Sequence, residues 1–572
     1  MVERITGADA LIRSLLCEGV DTVFGYPGGA IIPVYDKLYD YTDKLNHILV
    51  RHEQGATHAA QGYARVTGKT GVVIVTSGPG ATNVVTGLSD ALMDNTPMVV
   101  ITGQVASGML GSDAFQETDV VGIVQPVTKW AVQIRSAEEI PAAVARAFYI
   151  ASNGRPGPVV LDLAKDAQVG MLDFSYSKCD YIRSYNPDPE YQSSDIIEAA
   201  RLLNAAERPL ILSGHGVMIS GAEESLRKLA EKGDFPVAST MLGLSTMPSV
   251  HPLYKGMLGM HGNIGPNYNT NKADVILAVG MRFDDRVTSD LSRYAKQAKI
   301  IHIDIDSSEF GKMVKPSIAI HSDARKAIDA LLPHINQSRR SEWLATFDKY
   351  DEVETTSVIA AEVFPKSGML KMGEVINAVC EAFGHKAIGV TDVGQNQLFT
   401  CRYFKFKEPR SVVTSGGLGT MGFGLPAAIG AKIGAPEREV VLFVGDGGLQ
   451  MTIQELGTIM QYGVAVKIVL LNNNFLGNVR QWQQLFYKGR FSQTEMLNPN
   501  FVAIAQAYGI EGEDVKSREQ LASAIDNLVN NKHSYILNIQ IDPEDMIFPM
   551  IPLGGAVNEM FLDANTKFED NL

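Results

Sequence analysis

The chain has 572 residues, too many for a single core and suited to about three or four domains. Its 45% hydrophobic and 20% charged residues are ordinary for a globular protein and exclude a disordered or collagen-like chain. A net charge of -14 argues against a nucleic-acid partner, which calls for a basic face. Cys17, Cys179, Cys380 and Cys401 are widely spaced without a CxxC pair, so neither a disulfide framework nor a zinc site is expected. No apolar run is long enough for a membrane span, and Glu3, Asp9 and Glu18 break up the start of the chain, so a cytoplasmic location is expected.

In chain order, residues 47–50 form a short strand, followed by Arg51-His52-Glu53-Gln54-Gly55 and a helix over 56–64. Residues 72–75 and 98–102 are compact apolar runs ending at Gly or Ser, as buried strands do. A strand at 159–163 follows the turn Gly154-Arg155-Pro156-Gly157-Pro158 and closes a first unit, residues 1–183. The polar, proline-bearing stretch 184–194 is a linker. A second unit, 195–335, has strands at 210–213, 275–279 and 300–305. Residues 336–367 read as a helix plus connector. A third unit, 368–572, has strands at 388–391, 440–444 and 466–471. Strands alternating with helices predict an α/β protein of three doubly wound parallel sheets, with ligands outside the strands' carboxyl ends.

The third unit carries the most specific pattern. One strand ends in Gly445-Asp446-Gly447-Gly448, and the next ends in Asn472-Asn473-Asn474. Each alone is also an ordinary turn. Together, separated by one helix, they present a carboxylate and an amide at one sheet edge, the hard oxygen ligands that Mg²⁺ shares with phosphate. Glycines there let backbone N–H groups approach the phosphate. Glu53, read locally, is an acid in a helix's first turn, favourable to the macrodipole.

These motifs resemble those of thiamine-diphosphate enzymes. The resemblance implies Mg²⁺ ligands at Asp446, Asn473 and the Phe475 carbonyl, and cofactor contacts at Gly29, Ala30, Gln395, Gly419, Gly445 and Gly447. Met421 would be the wedge beneath the bent cofactor. RHEQGA resembles the segment whose glutamate, here Glu53, hydrogen-bonds the aminopyrimidine ring. A carboxyl whose pKa is raised by desolvation suits that proton relay. In such enzymes the glutamate and the metal site meet across a subunit interface, which implies at least a homodimer.

From Tyr26-Pro27-Gly28-Gly29-Ala30 to Phe548-Pro549-Met550-Ile551-Pro552, the chain is similar to the acetohydroxyacid synthase family. That family decarboxylates pyruvate and condenses the product with pyruvate or 2-ketobutyrate, using thiamine diphosphate, Mg²⁺ and FAD. By this resemblance Phe115 and Gln116 line the active site, Arg286 holds the carboxylate of the second keto acid, Trp482 narrows the acceptor pocket, and Lys165 lies at the channel mouth. Read locally, Arg286 is equally a surface partner of Asp284 or Asp285, and Trp482 an ordinary core residue. The second unit would hold FAD through Arg155, Gly214, Gly216, Thr240, Met241, Leu258, Met260, His261, Gly280, Arg282, Asp284, Asp304, Ile305 and Asp323. Homodimer or homotetramer assembly and a small regulatory subunit are family features. Asn478 replaces a usual methionine and Asn396 a frequent histidine. Alternatives are an FAD-independent catabolic acetolactate synthase, a pyruvate oxidase, or a non-catalytic nucleotide-binding relative. Glyoxylate carboligase is disfavoured by the presence of Glu53.

Overall fold

The computed structural model describes residues 3–570. The first unit is built on six parallel strands, β1 (Thr22–Tyr26), β2 (Asn46–Leu49), β3 (Gly71–Val75), β4 (Met98–Gln104), β5 (Trp130–Ile134) and β6 (Pro158–Ala164). They lie in the order β2-β1-β3-β4-β6-β5. β3, β4 and β6 are buried along their whole length. Parallel strands covered on both faces are expected to be mostly apolar, as these are, apart from buried Asp162 in β6, which accepts from Thr102 and Gln104 of β4.

The central sheet contains β7 (Pro209–Ser213), β8 (Val237–Ser239), β9 (Tyr254–Met257), β10 (Val275–Val279), β11 (Lys299–Asp304) and β12 (Ile318–His321). Its order, β9-β8-β7-β10-β11-β12, is that of a dinucleotide-binding fold, with the crevice between β7 and β10. The third sheet contains β13 (Ile388–Thr391), β14 (Val412–Val413), β15 (Val440–Gly445), β16 (Lys467–Asn472), β17 (Glu511–Val515) and β18 (Tyr535–Gln540). Its order, β14-β13-β15-β16-β18-β17, repeats that of the first sheet. The first and third units thus share a topology, and the central unit differs.

Two close helices join the like units. Helix Glu53–Thr67 packs on helix Gly424–Gly434. A Cβ built on Gly62 would lie 2.0 Å from the Ala427 carbonyl oxygen, and one on Gly430 would lie 1.8 Å from that of Ala59. Only glycine permits so close an approach of backbones. The sequence-based connector at 336–367 is helix Ser341–Glu354, extended by a wider turn at Thr355–Ile359 and by Ala360–Val363. Its Glu354 pairs with the buried Arg402 of the third unit at 2.6 Å.

The closing segment, grouped by sequence with the third unit, lies instead on the central one. Ile551, Val557 and Met560 enter the core around β10, and the Ile551 N–H donates to the Met260 carbonyl at 2.8 Å. Burying those side chains gives the segment a fixed seat that no local periodicity announces. Among the described residues no helix is long and apolar enough to cross a membrane.

Candidate active site

β13 and β15 are neighbours in the third sheet, and the chain leaves β13 toward one edge and β15 toward the other. A ligand crevice is expected at the carboxyl end of such a switch point. There lies a small cavity lined by Gln395, Asn396, Met421, Gly445, Asp446, Gly447, Asn473, Phe475 and Asn478. Asp446 and Asn473 are 1% and 3% exposed, so a polar group here must be paired or costly. Burial pushes Asp446 up to about 6, against the stabilising Asn498 amide, which donates to its Oδ2 at 2.6 Å. The Asn396 and Asn478 side-chain oxygens are buried without partners among the described residues. A desolvated carboxylate, amide oxygens and a backbone carbonyl are hard oxygen ligands that fit Mg²⁺.

Gln395 lines this cavity, but its amide is already committed. Its Nε2 donates to Gln481 and to the Asp545 carbonyl, at 3.0 and 2.8 Å. Two organisers escaped the sequence reading. Asn498 donates to Asp446, Asn472 and Asn474 together. Buried Asp392 accepts from the N–H groups of Gly422 and Gly424, fixing the turn that carries Met421. Asp392 was foreshadowed only by its place at a strand end, and Asn498 by nothing local.

Glu53 begins its helix at the carboxyl edge of the first sheet, and Asn83 Nδ2 donates to its Oε2 at 2.9 Å. Nearby, the Thr76 and Ser77 hydroxyls are buried and unpartnered. Gln116, at φ 60°, sits against Gly78, whose built Cβ would meet the Gln116 carbonyl oxygen at 2.8 Å. Phe115 is 88% exposed, and Gly29 and Ala30 lie in the loop after β1. Lys165 is exposed at the end of β6, on the same edge. Among the described residues Glu53 shares neither a hydrogen bond with Asp446 or Asn473 nor the small cavity that they line.

A larger cavity, about 530 Å³, opens at the β7/β10 switch point. Every residue assigned to flavin by resemblance lines it except Gly214. Gly214 lies behind the wall, where its built Cβ would meet the Gly280 carbonyl oxygen at 2.3 Å. Gly216 is also required by the fold, since its Cβ would come within 2.6 Å of the Gly280 Cα. Asp304, at the end of β11, is pushed up to about 7 by burial. Arg286, Trp482, Asn478 and Gly419 line the same cavity, and Asn478 also lines the small one, so the two cavities adjoin. The Arg286 guanidinium lies 6.0 Å from the Trp482 ring centroid, and Trp482 Nε1 is buried without a partner. Arg286 also has Asp285 at 3.5 Å, yet its side chain remains 57% exposed and open to an anionic ligand.

Three family models match the chain: thiamine pyrophosphate enzyme N-terminal TPP binding domain at residues 5–123, central domain at 196–331, and C-terminal TPP binding domain at 392–539. The acetolactate synthase large subunit of Buchnera aphidicola is 43% identical over 571 residues, covering 98% of this chain and 99% of its own length. The large subunit from Haemophilus influenzae is 42% identical over 566 residues, covering 98% and 99%. The isozyme 3 large subunit of Escherichia coli is 42% identical over 575 residues, covering 99% and 100%. The chain belongs to the acetolactate synthase large-subunit family. It is a thiamine-diphosphate enzyme of the acetolactate synthase type, and the like topology of its first and third units corresponds to the two TPP binding domains.

Proposed function

We propose that the chain joins two 2-keto acids, releasing one CO₂: pyruvate with pyruvate to give 2-acetolactate, or pyruvate with 2-ketobutyrate to give 2-aceto-2-hydroxybutyrate. The observation that carries this reading is Asp446 and Asn473 buried together at adjacent strand ends, beside a cavity reached by Arg286 and Trp482. Bound thiamine diphosphate supplies the electron sink for decarboxylation. Asp446, Asn473 and the Phe475 carbonyl would hold the Mg²⁺ that accompanies the cofactor. Glu53, aimed by Asn83, holds a proton at the aminopyrimidine edge. Arg286 receives the acceptor's carboxylate through its guanidinium fork, and Trp482 limits the acceptor's side chain. Gln116 and Phe115 close the site from the Glu53 side, and Lys165 lies at its approach.

The large cavity would hold FAD at the β7/β10 crevice, with Arg155, Asp304 and Asp323 among the residues that would bind it. The chain works as a homodimer or a dimer of dimers in the cytoplasm, with a small regulatory subunit. Supporting self-association, both edges of the divided site expose large apolar side chains: Ile32, Met109 and Phe115 on one, Met451, Val479 and Leu497 on the other. The test is product analysis of the purified chain with pyruvate, thiamine diphosphate, Mg²⁺ and FAD. Acetolactate is expected. Acetate or acetyl phosphate with oxygen consumption would move the chain to the oxidase branch.

A further inference from the structure

One short segment, Asp94-Asn95 at the end of helix Val85–Met93, reaches toward both cavities: Asp94 is buried, and Asn95 lines the large one. The Asp94 side chain is fully buried. Its Oδ2 accepts from Arg65 Nη2 at 2.7 Å and from the Gly416 N–H at 2.8 Å, and its Oδ1 accepts from the Gly417 N–H at 2.6 Å. One helical turn earlier, Asp90 Oδ1 accepts from the hydroxyls of Ser415 and, at 3.1 Å, Thr420. The two carboxylates therefore grip both ends of loop 415–420. Gly416 to Gly419 line the large cavity, and Met421, immediately after, lines the small one.

The next residue faces the other way. Asn95, at φ 55°, accepts through Oδ1 from Arg155 Nε at 2.6 Å. Arg155 lines the large cavity and also binds Asp306 and Glu309, at 3.0 and 2.6 Å. Adjacent residues thus fix a cation of one cavity and the loop that bears the wedge of the other. The charges make this anchor stiff. Arg65 is 7% exposed and lies over the Phe423 ring, and a buried carboxylate that lost its guanidinium or its N–H donors would be left uncompensated.

We propose that Asp94 is a positioning residue that couples the two cofactor sites: ordering Arg155 at the large cavity orders, through Asn95 and Asp94, the loop that seats thiamine diphosphate. This rests on reading the large cavity as the flavin site. Coupling of this kind is reciprocal, so each ligand must tighten the other by the same factor.

The experiment is calorimetric titration of the full chain with thiamine diphosphate and Mg²⁺, with and without FAD, and the converse titration. The wild type is expected to show mutual tightening of roughly tenfold. Asp94→Asn and Asn95→Gly should each bind either cofactor alone but show a factor near one. Asn95→Gly leaves every hydrogen bond of the Asp94 carboxylate in place and permits the positive φ, so it decides the matter if Asp94→Asn fails to fold. FAD binding without tightening in the wild type, or undiminished tightening in Asn95→Gly, overturns the coupling alone. Failure of FAD to bind at all would remove the flavin reading itself.

Discussion

Asn498 reaches Asp446 across the mouth of the third sheet, its amide 2.6 Å from the carboxylate. The same nitrogen lies 3.0 Å from the side-chain oxygens of both Asn472 and Asn474. One amide thus orients the Asp446 carboxylate and ties down the loop that carries Asn473 and Phe475. Asn498→Ala should leave the fold intact and weaken thiamine diphosphate binding in the presence of Mg²⁺ by about 10- to 100-fold, the usual cost of losing a group that orients a metal ligand. Titration of the cofactor at fixed Mg²⁺ measures it, and unchanged affinity would mean that Asp446 is held without Asn498.

Gly430 sits where the first and third units touch most closely. Adding one methyl places carbon 1.8 Å from the Ala59 carbonyl oxygen, so backbone must move. Gly430→Ala is expected to destabilise the chain by about 2 kcal/mol despite alanine's better helix propensity. Thermal unfolding reads the loss, and an unchanged or raised Tm would show that the two helices can separate freely.

Asp304 gives the unliganded chain a pH signature. Burial raises its carboxyl from 3.8 to about 7, so the folded state keeps a proton that the unfolded chain releases. Its contribution to stability is complete below pH 3.8 and is lost as pH rises through about 7. Asp304→Asn keeps an oxygen for the Asp306 N–H, bonded at 2.9 Å, and has no proton to lose. From pH 4 to 8 the wild type should therefore lose stability relative to the variant, by up to about 4 kcal/mol. Parallel Tm profiles would contradict this.

What was legible in the sequence follows from burial. β3, β4, β6, β10, β15 and β16 are covered on both faces and are mostly apolar, with Asp162 in β6 and Lys467 in β16 as buried exceptions. The edge strands β5 and β17 are half-exposed, mix polar with apolar residues, and gave no apolar run. The Asp446 and Asn473 edge was visible because both residues end buried strands one helix apart. Asn498 was not, since it lies 52 residues from Asp446 in a loop without periodicity. Nor was the packing of the Glu53–Thr67 helix on helix Gly424–Gly434, because strand order and the packing of units are tertiary facts. The seat of the closing segment on the central unit was hidden for the same reason.

In the proposed site, Glu53 of one copy serves Asp446 of another. The measurement is acetolactate formation by Glu53→Gln and Asp446→Asn chains, purified separately and after co-expression with different tags. Each alone should fall by at least about 100-fold. Co-expressed, half of randomly paired dimers carry one intact and one doubly altered site, so activity should return to about a quarter of wild type. Activity that stays at the level of the single variants would contradict a site shared between copies.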